Sequence, residues 1–162
     1  MSEDATAEVM IIRRCRVTDI DDIKALCQLW AGEEITPHFI AAGRGELTAR
    51  LGDCFLVAES AGRIRGFVYG SIHRGHGVRE IPEGASYLDV EALYVAPDHR
   101  GKNTGGRLLE EIVEKGVGLG ANHFVVNAHT RDVDAVSRFF GDHGFKPVMI
   151  SFIRKENRIL ID

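Results

Sequence analysis

The stretch that decides the fold is VEALYVAPDHRGKNTGGRLLEEIVEKG, residues 90–116. Its first half is apolar and β-branched, and Pro97 stops it, so it reads as the end of a strand. Leu108, Leu109, Ile112 and Val113 then recur at helical spacing, which predicts a helix from Thr104 to Lys115. Between the two lies a turn rich in glycine and cations. The first N–H groups of a helix have no partner inside it, and the macrodipole puts partial positive charge there. Glycines let a backbone close around oxygen atoms, and Arg100 and Lys102 add whole charges. A strand, a basic glycine turn and a helix start together form a device for holding phosphate. It is not a P-loop, because Asn103 follows Gly101-Lys102 and Ala96 stands where the first glycine belongs. Nor is it GxGxxG, since the glycines are Gly101, Gly105 and Gly106. A ligand-free helix-start turn is the alternative.

The chain around this stretch has 162 residues, 44% hydrophobic and 27% charged, which fits one domain at 9–162 behind a disordered tail at 1–8. The net charge of -4 provides no field for nucleic acid. Cys15, Cys27 and Cys54 form neither a disulfide framework nor a CxxC zinc pattern, and are expected to be reduced thiols in a cytoplasmic protein. No apolar run is long enough to span a membrane, and the acidic start is unlike a signal peptide. His73 and His76 lack a third ligand, so no metal site is expected.

Strands are predicted at 9–17, 54–60, 63–73, 85–97, 122–129 and 144–155, with NRILID at the end as a further candidate. Helices are predicted after Thr18 as N-cap, near 36–50, at 104–115 and at 133–143. The glycine-rich stretch 74–84 reads as a loop.

Residues 90–116 resemble the acetyl-CoA-binding signature of the GNAT superfamily of N-acetyltransferases: an apolar strand, a proline, then [RQ]xxGx[GA] opening a helix. Arg100 matches its first position and Gly105 its last, while Asn103 replaces the middle glycine; asparagine tolerates positive φ better than most residues. SRFFGDHGFKP resembles the family's FYxxxGF segment, with Phe139, Phe140, Gly144 and Phe145 in register. The resemblance implies an α/β (α+β) fold: a mixed, mostly antiparallel sheet of six or seven strands, helices on both faces, and strands four and five (85–96 and 122–128) splayed at a bulge. It implies acetyl-CoA as cosubstrate, lying in the splay. Leu93 and Val95 would offer main-chain groups, and Arg100, Gly101, Lys102, Asn103, Thr104, Gly105 and Gly106 would hold the pyrophosphate. Thr104 is equally suited to capping the helix.

The activity implied is acetyl transfer to a primary amine, small or peptidyl, by direct attack in a ternary complex. Such an amine arrives protonated, with a pKa of about 10.4, so a carboxylate that takes its proton is needed. Glu91 stands where some family members carry that base, with Asp89 second and a surface strand residue as the alternative. The Leu93 N–H would meet the oxyanion. Uninterrupted alternation puts Asp89, Glu91, Leu93 and Val95 on one face and turns Tyr94 away. The family tyrosine that protonates the thiolate is Phe140 here, so no general acid is named. Glu33 and Glu34, with Trp30 and Phe39, fall where the family shapes its acceptor pocket. An acyl-CoA-binding module without turnover is the competing expectation, and a homodimer is among the expected assemblies.

Overall fold

The computed structural model describes residues 9–77 and 80–154. The tail at 1–8 and the candidate strand NRILID lie outside them. The chain runs β1 (Met10–Arg14), α1 (Ile20–Glu33), α2 (Arg44–Ala49), β2 (Phe55–Ser60), β3 (Arg63–Arg74), β4 (Ser86–Val95), α3 (Thr104–Gly118), β5 (His123–Val126) and α4 (Val133–Asp142). The five described strands form one sheet in the order β1-β2-β3-β4-β5. The first three pairings are antiparallel and β4–β5 is parallel. The mixed, mostly antiparallel sheet expected from the sequence is therefore present, with five described strands instead of six or seven.

Each face of the sheet carries its own core. Ile20, Ile23, Leu26 and Cys27 of α1 and Leu47 of α2 pack on Phe55, Val57, Phe67, Tyr69, Ala92 and Tyr94. On the other face, Leu108, Leu109 and Ile112 of α3 pack on Leu56, Ala58, Val68, Leu88 and Val90. These side chains are buried, and each Val, Leu, Ile or Phe among them contributes roughly 1.5–3 kcal/mol by its burial.

Several expectations are corrected. Thr18 does not cap α1; it lies in a 3-10 turn, Val17–Asp19, and Asp19 precedes the helix. The buried Asp19 carboxylate accepts from the Arg16 N–H at 2.7 Å and from two Arg13 nitrogens at 2.7 and 2.9 Å. The Arg13 guanidinium holds that carboxyl below its ordinary range. The helix expected near 36–50 shrinks to the six residues of α2, which begins at its N-cap Gly43 and contains Gly45; upstream, Pro37 and the positive φ of His38 hold the chain out of a helix. No strand forms between Gly144 and Arg154, although the composition is strand-like. β-Propensity needs an edge to pair with, and this segment makes no ladder. All three cysteines are free, and burial pushes the Cys15 thiol up to about 12. Among the described residues no helix is long and apolar enough to cross a membrane.

Candidate active site

The site begins at an irregularity in β4. Tyr69 pairs with Ala92 but Gly70 pairs with Val90, so Glu91 is an extra residue with no partner across β3. Such a bulge breaks the alternation of the strand. Leu88 and Val90 face α3 before it, and Leu93 and Val95 face α3 after it. Ala92 and Tyr94 join the core on the α1 side. The single face expected for Asp89, Glu91, Leu93 and Val95 is thus corrected. Gly70 makes the bulge possible, since a Cβ there would sit 2.4 Å from the Asp89 carbonyl oxygen.

Glu91 points toward α2. Its carboxylate accepts from the Arg50 guanidinium and, at 2.5 Å, from the Ser71 hydroxyl. Arg50 also lies 4.6 Å above the Tyr69 ring and 3.5 Å from Glu46. The Glu91 side chain stays 24% exposed, so solvent and a substrate can both reach it.

β4 parts from β5 just below this point. Their ladder runs from Tyr87↔His123 to Val90↔Val126 and ends there. The Ala96 N–H bonds the Arg65 carbonyl at 2.8 Å, which turns Ala96 toward β3. Main-chain groups alternate between the two edges of a strand, so Val95 and Leu93 turn toward the side that β5 has left. The Val95 carbonyl there accepts from Arg100 Nε at 3.0 Å.

The basic turn follows. Gly101 and Asn103 take the left-handed conformation, with φ of 72° and 60°. Asn103 thereby fills a backbone role usually given to glycine. It is the N-cap of α3, and Thr104 is the first helical residue, buried and not a cap. No side chain caps this helix and no acid stands in its first turn. The first helical bond runs from the Arg107 N–H to the Asn103 carbonyl at 3.0 Å, so the preceding amides have no acceptor in the helix. Gly101 and Lys102 are exposed, and Gly105 is half-buried. Gly106 is glycine by necessity: a Cβ would lie 2.3 Å from Asn103 Oδ1 and 2.8 Å from His143 Cε1.

Arg100 departs from the expectation of a free phosphate ligand. Its two terminal nitrogens bond Glu33 at 2.9 and 2.8 Å. The Tyr94 hydroxyl donates to the same carboxylate. Arg100 holds Glu33 below the ordinary carboxyl range, and burial with Glu33 beside it pushes the Tyr94 phenol up. Trp30 stacks on Phe39 and Tyr94 at centroid distances of 4.5 and 5.2 Å. The Arg131 N–H bonds the Ile35 carbonyl at 2.9 Å, tying the loop after β5 to the end of α1. Glu34 is exposed, as a solvated helix end would be. Phe140 packs against Phe145 at 5.6 Å, in the core on the α3 side. Sequence reasoning missed Arg50 and Ser71 as partners of Glu91 and the union of Glu33 with Arg100. No motif marks Arg50 or Ser71, and none pairs Glu33 with Arg100; only the fold brings them together. His73 lies 5.4 Å from the Tyr87 ring, and among the described residues no group of three His, Cys, Asp or Glu is arranged for a metal ion.

Known proteins with this architecture place the geometry in context. An aminoglycoside N-acetyltransferase, AAC(6')-Iy, in complex with CoA is 17% identical with a TM-score of 0.71, over 95% of this chain and 99% of that one. A ribosomal-protein-alanine N-acetyltransferase from Brucella melitensis is 18% identical with a TM-score of 0.67, over 92% and 100%. A glucosamine-6-phosphate N-acetyltransferase from Arabidopsis thaliana is 17% identical with a TM-score of 0.66, over 91% and 99%. At these identities the likeness is one of fold. No curated protein matches the chain by sequence. Residues 52–147, more than half of the chain, match the acetyltransferase (GNAT) domain, and they span the bulge, the parted strands and the basic turn. The chain belongs to the GNAT acetyltransferase family.

Proposed function

We propose that the protein is an acetyl-CoA-dependent N-acetyltransferase that moves an acetyl group to a primary amine by direct attack in a ternary complex. The observation that carries this reading is the parting of β4 from β5 after Val90, one short turn ahead of an uncapped helix start. The residues present fit a CoA diphosphate. The first amides of α3 have no internal acceptor, and no acid competes for them. Solved relatives in complex with CoA or a CoA analogue share the fold.

Acetyl-CoA supplies an acetyl group activated as a thioester. The chain supplies the rest. Main-chain groups of Leu93 and Val95 line the parted edge and orient the pantetheine, a β-augmentation by a ligand. The Leu93 N–H donates to the oxyanion that forms as the amine attacks. Glu91 attracts the cationic amine and accepts its proton, directly or through one water. Arg50 and Ser71 fix the rotamer of Glu91, which is exposed enough to need holding. Phe140 has no proton to give, so the thiolate, from a thiol of pKa about 8.5, leaves unaided in this reading. The acceptor enters on the α1 side, past Trp30, Phe39 and Tyr94, whose ring faces favour a cation or a flat apolar group.

The test is thiol release from acetyl-CoA against a panel of amines: an aminoglycoside, glucosamine 6-phosphate and a peptide with N-terminal alanine. Amine-dependent release is the expected result. CoA binding without release for any primary amine would support the competing reading, a binding module without turnover, to which Phe140 lends its weight.

A further inference from the structure

Arg100 opens the basic turn, but its side chain is engaged elsewhere. Nε donates to the Val95 carbonyl at 3.0 Å, on the parted edge of β4, and the two terminal nitrogens donate to the two Glu33 oxygens at 2.9 and 2.8 Å. All three guanidinium nitrogens thus have an acceptor in β4 or α1. The guanidinium also lies over the Tyr94 ring, 5.4 Å from its centroid, and the Tyr94 hydroxyl donates to the same carboxylate. This set of contacts suits arginine, because only a guanidinium presents its donors in a rigid fork. Lys102, two residues on, is exposed and is the cation that the turn presents to solvent.

Glu33 is the last residue of α1, and Glu34 turns the chain out of the helix with a φ of 53°. The segment 34–43 then leads to α2. Trp30, one turn before Glu33, stacks on Phe39 of that segment and on Tyr94 of β4, with interplanar angles of 28° and 16°. Its indole N–H donates to the Thr36 hydroxyl at 2.9 Å, which holds the same segment from its other end. A continuous set of contacts therefore runs from Val95 through Arg100, Glu33, Tyr94 and Trp30 to Phe39. Stability does not explain it. The Arg100 and Glu33 side chains are 42 and 20% exposed, and ion pairs of this exposure add little to a fold. What a two-pronged pair does at such a site is fix position.

We propose that Arg100 is a positioning residue and not a ligand of the CoA diphosphate: with Glu33 and Tyr94 it forms a strap that ties the cofactor edge of β4 to the end of α1 and thereby sets the acceptor side of the site. At one end the strap fixes the Val95 carbonyl. A carbonyl oxygen has two lone pairs, so Val95 holds Arg100 and still accepts a second bond from a ligand on the parted edge. At the other end it holds the Trp30 stack, and through it segment 34–43, against β4. Glu33 spends its charge on Arg100, so it shapes the acceptor pocket without recruiting the amine, and that task stays with Glu91. The role toward the acceptor rests on the acetyl-transfer reading above; the strap itself does not.

The test is a double-mutant cycle with Glu33→Ala and Arg100→Ala, read in three ways. Trp30 is the single tryptophan, so its fluorescence reports on the strap without any ligand or turnover. Acrylamide quenching of Trp30 is expected to rise by a similar amount in both single variants and no further in the double variant, because either change releases the same strap. Unchanged quenching in both single variants would overturn the inference. Calorimetry with CoA gives the second readout. Both variants should bind CoA within about three-fold of the parent. A loss on the order of ten-fold or more in Arg100→Ala alone would make Arg100 a diphosphate ligand and overturn the inference. The third readout is the amine dependence of thiol release: KM for the amine should rise on the order of ten-fold in each variant with kcat little changed, and an unchanged KM in both overturns the role toward the acceptor. A parent that binds no CoA counts against acetyl transfer, and the quenching cycle still decides the strap.

Discussion

Replacing Glu91 by glutamine separates its chemistry from its structural role. Glutamine keeps an oxygen that accepts from Ser71 and Arg50, and it keeps the bulge, because the register is set by the backbone. Arg50 loses a charge partner but retains Glu46 at 3.5 Å and the face of Tyr69. The lost pair is partly solvated, so the stability cost is roughly 0–1 kcal/mol. For a chain of 162 residues that is a fall in Tm of no more than about 4 °C. The affinity for CoA should stay within about two-fold, since main-chain amides do the holding. The rate should respond on another scale. Loss of a general base costs on the order of 10²–10⁴, or about 3–5 kcal/mol in the barrier. The defect should shrink as pH approaches the amine's own pKa of about 10.4, because neutral amine then arrives without help. The assay is thiol release with an accepted amine from pH 6 to pH 9, beside calorimetry for CoA. Equal rates for variant and parent across that range would refute the role of Glu91, and Asp89 would be the next residue to replace.

Gly106→Ala should destabilise the protein by about 1–2 kcal/mol in denaturant titration, because the new Cβ displaces Asn103 and presses on a His143 ring held by Glu110 at 2.9 Å. It should also weaken CoA binding, whereas a Cβ at Gly105 meets Phe139 and Val95 at 3.6 and 3.7 Å and should leave the fold intact. Asp19→Asn should cost about 2–3 kcal/mol at pH 7, less than a fully broken buried pair because Arg13 keeps Glu59 at 2.6 Å. The Asp19 pKa is depressed in the fold, so its stabilisation is complete above the unfolded value of about 3.9 and is lost as pH falls through the folded value. The gap between parent and variant in urea titrations should therefore narrow below about pH 4, and a gap that stays constant would contradict the assignment.

How much of this could be read from the sequence depended on distance along the chain. The basic turn was legible because its parts are adjacent: Pro97 ends a strand, Asn103 takes positive φ, and α3 starts one residue later, with its apolar period running from Leu108. The bulge was not legible in β4 itself, since one extra residue leaves no mark on an apolar run. Its only trace lies across the sheet, in Gly70, a glycine inside a strand. Without it, Tyr94 and Glu91 come out on opposite faces, whereas both turn toward the α1 and α2 side. Arg100 looked like a free cation because its partner Glu33 lies 67 residues earlier and only the fold unites them. The strand predicted after Gly144 has the right composition, but a strand exists only through pairing, and composition says nothing of where the pairing edge is.

The claim at the centre of this account is that the uncapped start of α3 holds the diphosphate of CoA. Calorimetry with CoA, paired with thermal unfolding, tests it most directly. Ligand at one hundred times its dissociation constant should stabilise the native state by about 2.7 kcal/mol. For a chain of this size that raises Tm by roughly 5–11 °C. The shift should be much reduced in Gly106→Ala under the same conditions. No heat of binding and no change in Tm at millimolar CoA, in protein that unfolds cooperatively, would contradict the account.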